Sequence, residues 1–88
     1  MSYIFSGCSS LKKIDCSKFD TSKVTSMSGM FNNCISLTSL IISNFNTSNV
    51  VFMYSMFRNC ISLKNLNLKN FVGTKIGKLR KFVFNRFT

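Results

Sequence analysis

The sequence predicts a solenoid of about three coils, parallel β-strands joined by short helical or 3₁₀ turns, and three observations predict it. Shifting the 88-residue chain by 26 positions aligns Cys8, Cys34 and Cys60, and the same shift aligns Leu11, Leu37 and Leu63. Apolar residues stay in column through Ile14/Leu40/Leu66, Phe19/Phe45/Phe71, Val24/Val50/Ile76, Met27/Met53/Leu79, Met30/Met56/Phe82 and Phe5/Phe31/Phe57. The composition, 45% hydrophobic and 14% aromatic, is rich enough to build one core in a chain of this length.

Taken in order, the chain reads as a single array over residues 1–88: a partial coil at 1–7, repeats at 8–33, 34–59 and 60–85, and a short exit. Within the repeats, LKKIDC, LTSLII and LKNLNL carry L-x-x-L-x-L, the strand pattern of a leucine-rich-repeat solenoid. Side chains alternate along a strand, so Ile14 and Cys16, Leu40 and Ile42, and Leu66 and Leu68 should face inward. Lys13, Asp15 and Ser17, then Ser39, Ile41 and Ser43, then Asn65, Asn67 and Lys69 should face outward. Stacked strands would make a narrow parallel sheet.

The remainder of each copy must return over the core. After the turn-like Asp20-Thr21-Ser22, the three- and four-residue spacing of Val24, Met27, Met30, Phe31 and Cys34 suits helix. Val24, Thr25 and Gly29 disfavour a long one. The expectation is an extended piece at Val24 to Met27 with one helical or 3₁₀ turn from Ser28 to Asn33, repeated at Val50 to Met53 and Tyr54 to Asn59. The third copy is degenerate: FVGTKIGKLRKFVFN brings Lys and Arg to columns that hold Ser, Thr and Asn earlier. Terminal copies drift where an array stops stacking. Three copies are about the minimum for such a core, so the array should be marginally stable or recruit another copy end to end.

The motif F-D-T-S-x-V-T-x-M-x-x-M-F-x-x-C-x-S-L runs from Phe19 to Leu37 and nearly repeats from Phe45 to Leu63. It resembles the BspA-type leucine-rich repeat, in the variant abundant in surface lipoproteins of mycoplasmas and in other bacterial and protist surface proteins. The resemblance covers residues 3–71 well and 72–88 loosely. It implies a right-handed solenoid at a cell surface, engaged in adhesion or recognition, with no catalytic residues to carry over.

The residues themselves point away from catalysis. There is no histidine and no glutamate, and Asp15 and Asp20 lie in different parts of one coil, so no base stands ready beside a nucleophile. Cys8, Cys34 and Cys60 form a ladder that cannot surround a tetrahedral metal; we read them and Cys16 as packing, with a disulfide between adjacent coils as the alternative. Met27, Met30, Met53 and Met56 read as core rather than as soft metal ligands. The columns Ser10/Ser36/Ser62 and Asn33/Asn59/Asn85 are expected to satisfy backbone groups in the turns. No cofactor or metal is expected.

The expected function is a non-catalytic interaction module that presents Lys13, Asp15, Ser39, Ile41, Asn65 and Asn67 to a protein or glycan. The alternative is a basic peripheral binder of membrane or nucleic acid. Twelve Lys and Arg against two Asp give a formal charge of +10, and Lys75, Lys78, Arg80, Lys81 and Arg86 alternate with Phe82, Phe84 and Phe87 within residues 75–88. The first residues lack the charged start and apolar run of a secretory signal, and no stretch approaches the roughly 18 apolar residues that cross a bilayer. A cell-surface location is thus an expectation from the resemblance alone. The opening residues fit the middle of a repeat, so the chain is expected to be a truncated gene product or a piece of a longer array.

Overall fold

The computed structural model describes residues 1–64, 66–68, 70 and 71. Among the described residues two strands form, β1 (Lys13–Asp15) and β2 (Ser39–Ile41). They pair in parallel, Lys13 with Ser39, Ile14 with Leu40 and Asp15 with Ile41. The bonds Ser39 N–H to Lys12 O (3.1 Å) and Cys16 N–H to Ile41 O (3.0 Å) close the ladder at its two ends. Ile14 is buried between exposed Lys13 and Asp15, the alternation that a half-covered strand requires.

Both strands are three residues long, half the segment that L-x-x-L-x-L suggests. The first leucine of each segment belongs instead to a turn: Leu11, Leu37 and Leu63 donate their N–H to the carbonyls of Cys8, Cys34 and Cys60 at 3.2–3.3 Å. The preceding turn is the same in every coil, with the N–H of Cys8, Cys34 and Cys60 on the carbonyls of Phe5, Phe31 and Phe57 at 3.2 Å. F-x-x-C-x-x-L is therefore two linked i to i+3 turns. Leu66, Asn67 and Leu68 form no strand, although Leu66 and Leu68 pack against the core as inward residues should.

On the return side, an isolated parallel bridge joins Ser26 to Phe52 within the expected extended piece. The helical or 3₁₀ turn expected from Ser28 to Asn33 takes the form of separate i to i+3 turns with no continuous helical run. Their donors alternate between two destinations. Met30, Asn32 and Cys34 bond back three residues, to Met27, Gly29 and Phe31. Gly29, Phe31 and Asn33 bond across to Tyr54, Met56 and Arg58 at 2.7–2.9 Å. Tyr3, Phe5 and Gly7 bond across to Ser28, Met30 and Asn32 in the same way.

The alternation follows from a repeated left-handed backbone. Tyr3 (φ 59°), Gly29 (62°) and Ser55 (56°) share one column, and Gly7 (78°), Asn33 (62°) and Asn59 (61°) share the column four residues on. A right-handed helix cannot contain such residues, which swing every second amide out of the coil and toward its neighbour.

The core lies inside the coils and between them. Met27, Met30, Phe31, Cys34 and Leu37 are buried, and so are the residues 26 positions later, Met53, Met56, Phe57, Cys60 and Leu63. The rings of Phe5, Phe31 and Phe57 stack face to face at 5.7 and 5.6 Å, within 4° and 7° of parallel, and Phe45 stacks on Phe71 at 6.2 Å. Each such pair adds about 0.5–1.5 kcal/mol beyond burial.

The left-handed column makes a prediction with two signs. A Cβ at Gly29 would stand 2.1 Å from the Tyr3 ring, and φ there is +62°. Gly29→Ala should cost about 1–2 kcal/mol through backbone strain and displacement of that ring. Ser55→Gly, which relieves strain at the equivalent position, should stabilise by about 1 kcal/mol. Thermal melts of the two variants should therefore shift in opposite directions; shifts of the same sign would contradict the shared conformation.

Candidate functional site

The outward positions of β1 and β2 form the strand face. On β1, Lys13 and Asp15 are exposed; on β2, Ser39 is exposed and Ile41 half-buried, directly beside Asp15 in the register. Asn67 is exposed, and Asn65 lies outside the described residues. So do Lys75, Lys78, Arg80, Lys81 and Arg86 of the basic segment.

Asp15 accepts the Ser17 N–H at 2.9 Å. The Ser17 side chain and N–H together hold its carboxyl below the usual range, with smaller help from the charges of Lys13 and Lys18. Asp20 is lowered in the same manner by Ser22, whose N–H it accepts at 3.0 Å. Both carboxylates thus serve turns in the manner of Asx motifs, and Asn46 does the same for Ser48 at 3.0 Å. A carboxylate held ionised by its own turn is a poor proton acceptor at neutral pH.

Other polar columns are bound into the stack. Asn44 Nδ2 donates to the carbonyls of Cys16 (3.1 Å), Ser17 (3.3 Å) and Phe19 (3.0 Å), and Asn70 Nδ2 repeats the contact on Ser43. Asn49 reaches Ser22 O, Thr38 reaches Lys12 O, and Ser62 reaches Ile35 O. Buried Thr21 donates to Asn46 O and accepts the Asn46 N–H at 2.8 Å. The Asn33/Asn59 column differs from the backbone role expected of it: Asn59 Nδ2 donates to Asn33 Oδ1 at 2.7 Å, side chain to side chain. Left-handed backbone at both residues aligns the two amides.

Among the described residues no disulfide forms; Cys16, Cys34 and Cys60 are buried and Cys8 half-buried. The Cys34 thiol donates to Phe5 O at 3.2 Å and the Cys60 thiol to Phe31 O at 3.0 Å, each one coil back. Cys16 is buried in the strand column. Burial, with a smaller contribution from Asp15, pushes its thiol from an ordinary value of 9.0 up to about 11, and burial likewise raises Cys34. Among the described residues no group of three or more His, Cys, Asp or Glu is placed to hold a metal.

One surface feature escaped the sequence reading. Phe52 and Tyr54 are 47% and 62% exposed, their rings 6.0 Å apart and tilted by 35°, with exposed Val51 beside them on the return side. The preceding coil has Ser26 and Ser28 in those columns. Aromatic residues in columns that elsewhere hold Ser26 and Lys78, and Ser2, Ser28 and Arg80, are the signal that would have marked the ridge as surface.

The raised thiol sets a pH dependence. The folded chain favours neutral Cys16, so its contribution to stability is complete below about pH 9 and falls away as pH rises through about 11. Melting temperature measured across this window should decline, and Cys16→Val, which keeps an apolar residue in a column with Ile42 and Leu68, should flatten the decline. Equal slopes for the two chains would show that Cys16 does not carry it.

Comparison with known proteins gives the chain its family. No curated protein and no solved structure matches it. A family model does match, over residues 1–87, and the chain belongs to that family, described as "Mycoplasma protein of unknown function, DUF285".

Proposed function

We propose that the chain is part of a leucine-rich-repeat solenoid of the BspA type, a non-catalytic module of a surface protein that recognises a protein or glycan. One observation carries this reading: outward Lys13, Asp15 and Ser39 are exposed and Ile41 half-buried on adjacent, registered strands, while most polar columns elsewhere are spent on the stack. Lys13, Asp15, Ser39 and Ile41 offer a cation, an anion, a hydroxyl and an aliphatic group on one shallow rigid surface. Such a mixed surface suits complementary recognition and lacks what acid–base chemistry needs. The resemblance of the repeat motif to the BspA-type variant supports the surface role.

The net charge of +10 favours the second reading, anionic surfaces bound through residues 75–88. A panel of immobilised extracellular-matrix proteins, neutral glycans, sulfated glycans and anionic vesicles separates the two. The interaction module should bind a protein or neutral glycan with little loss at raised salt, and Ser39→Arg with Ile41→Asp should weaken binding by more than tenfold, an effect that Phe52→Ser with Tyr54→Ser does not share. Binding confined to sulfated glycans or vesicles, lost at raised salt and on deletion of residues 75–88, would favour the basic segment instead.

A further inference from the structure

The return side of the coils carries charge of one sign. Positions 21–33 and their repeats at 47–59 and 73–85 hold Lys23, Arg58, Lys75, Lys78, Arg80 and Lys81 and no acidic residue. Both aspartates, Asp15 and Asp20, fall outside these positions. Lys23 and Arg58 are exposed. In the second copy the same side projects Val51, Phe52 and Tyr54, each about half exposed or more, while Met53 and Met56 beneath them are buried. The bonds of Met27 N–H to Phe52 O and of Gly29 N–H to Tyr54 O join this segment to the coil before it, and the third copy follows in the chain. Stacked coils cover one another's faces and leave their sides to solvent, so the ridge owes its exposure to its place on the side of the stack.

A surface with cations, no carboxylate and a projecting apolar ridge is complementary to one that presents anions above an apolar interior. Anionic polymers match it less well. A base or sugar ring stacks flat on an open aromatic face, whereas Phe52 and Tyr54 lie against each other, centroids 6.0 Å apart and tilted by 35°, with aliphatic Val51 beside them. The hydroxyls in the ridge's own columns are also occupied. Ser28 Oγ accepts the Tyr54 N–H at 3.1 Å, and Ser26 Oγ shares a hydrogen bond with Ser2 Oγ at 2.6 Å, so they offer little to a sugar. Insertion into lipid needs no such groups: Val51 and Phe52 have no polar atom in the side chain, and Tyr54 can keep its hydroxyl at headgroup level. We propose that the return side docks on an anionic lipid bilayer, with Val51, Phe52 and Tyr54 entering the interface and Lys23 and Arg58 meeting the headgroups. A short ridge and a few cations give reversible, peripheral binding. The contact requires the ridge, which binding through residues 75–88 alone does not. It uses none of the strand-face residues, so either proposal can fail without the other.

The test is flotation of the full chain with vesicles of phosphatidylglycerol and phosphatidylcholine, and with vesicles of phosphatidylcholine alone. Binding to the anionic vesicles is expected, and weaker binding to the neutral ones. Phe52→Ser with Tyr54→Ser gives both positions the residue that the preceding coil carries at Ser26 and Ser28. That variant should keep the circular dichroism spectrum and bind about tenfold more weakly. Lys23→Glu with Arg58→Glu should weaken binding by about tenfold or more. The chain has no tryptophan, so Tyr54→Trp supplies a single reporter. Its emission should shift to the blue on anionic vesicles and be quenched by bromine carried on the acyl chains. Binding that the double serine variant leaves unchanged, or a tryptophan that stays open to an aqueous quencher, would assign the contact to charge alone and overturn the proposal. Equal binding to neutral vesicles, no binding to either kind, or binding to nucleic acid or sulfated glycan in their place would overturn it as well.

Discussion

Every second amide on the return side of a coil finds its acceptor in the neighbouring coil, and the structure depends on that division. Gly29, Phe31 and Asn33 bond forward to the next coil, while Met30, Asn32 and Cys34 bond within their own. A coil removed from its neighbours would leave half of those donors to water and one face of its Phe and Met side chains uncovered. The period of 26 residues must then be kept to the residue, because a one-position slip would bring the left-handed Gly29 and Asn33 out of line with Ser55 and Asn59. It would also unstack the ladder of Phe5, Phe31 and Phe57.

The polar residues are arranged by the same constraint. Asn, Ser and Thr recur at positions where a short side chain can bond a carbonyl one coil back, as Asn44 does for Cys16, Ser17 and Phe19. The thiols of Cys34 and Cys60 do likewise inside the core, which explains why small buried donors occupy that column in place of larger aliphatics. Such columns make the chain rich in potential functional groups and poor in available ones. The outward positions of β1 and β2 and the Phe52–Tyr54 ridge stand apart because the stack does not use their side chains.

Much of this was legible in the sequence because burial repeats where the coil repeats. The shift by 26 that aligns Ile14 with Leu40 is the shift at which those residues pair, and inward Ile14, Cys16 and Ile42 are buried. Local geometry was harder to read. L-x-x-L-x-L reads as strand from its first leucine, but the two turns of F-x-x-C-x-x-L claim that leucine's amide. The three- and four-residue spacing of Met27, Met30, Phe31 and Cys34 suits helix, yet it also arises when i to i+3 turns are interrupted by left-handed residues. Gly29 and Asn33 hinted at that backbone; Tyr3 and Ser55, in one of the same columns, concealed it. The strand-face residues were placed by alternation alone, whereas the aromatic ridge required comparison of each column's chemistry from coil to coil.

The central claim is that residues 26 apart lie side by side in parallel. Nuclear Overhauser contacts in an isotope-labelled chain test it most directly. The account predicts contacts of Ile14 with Leu40, of Ser26 with Phe52, and of the Phe31 ring with both Phe5 and Phe57. Contacts at another offset, or between antiparallel segments within one chain, would contradict the stack and everything derived from it.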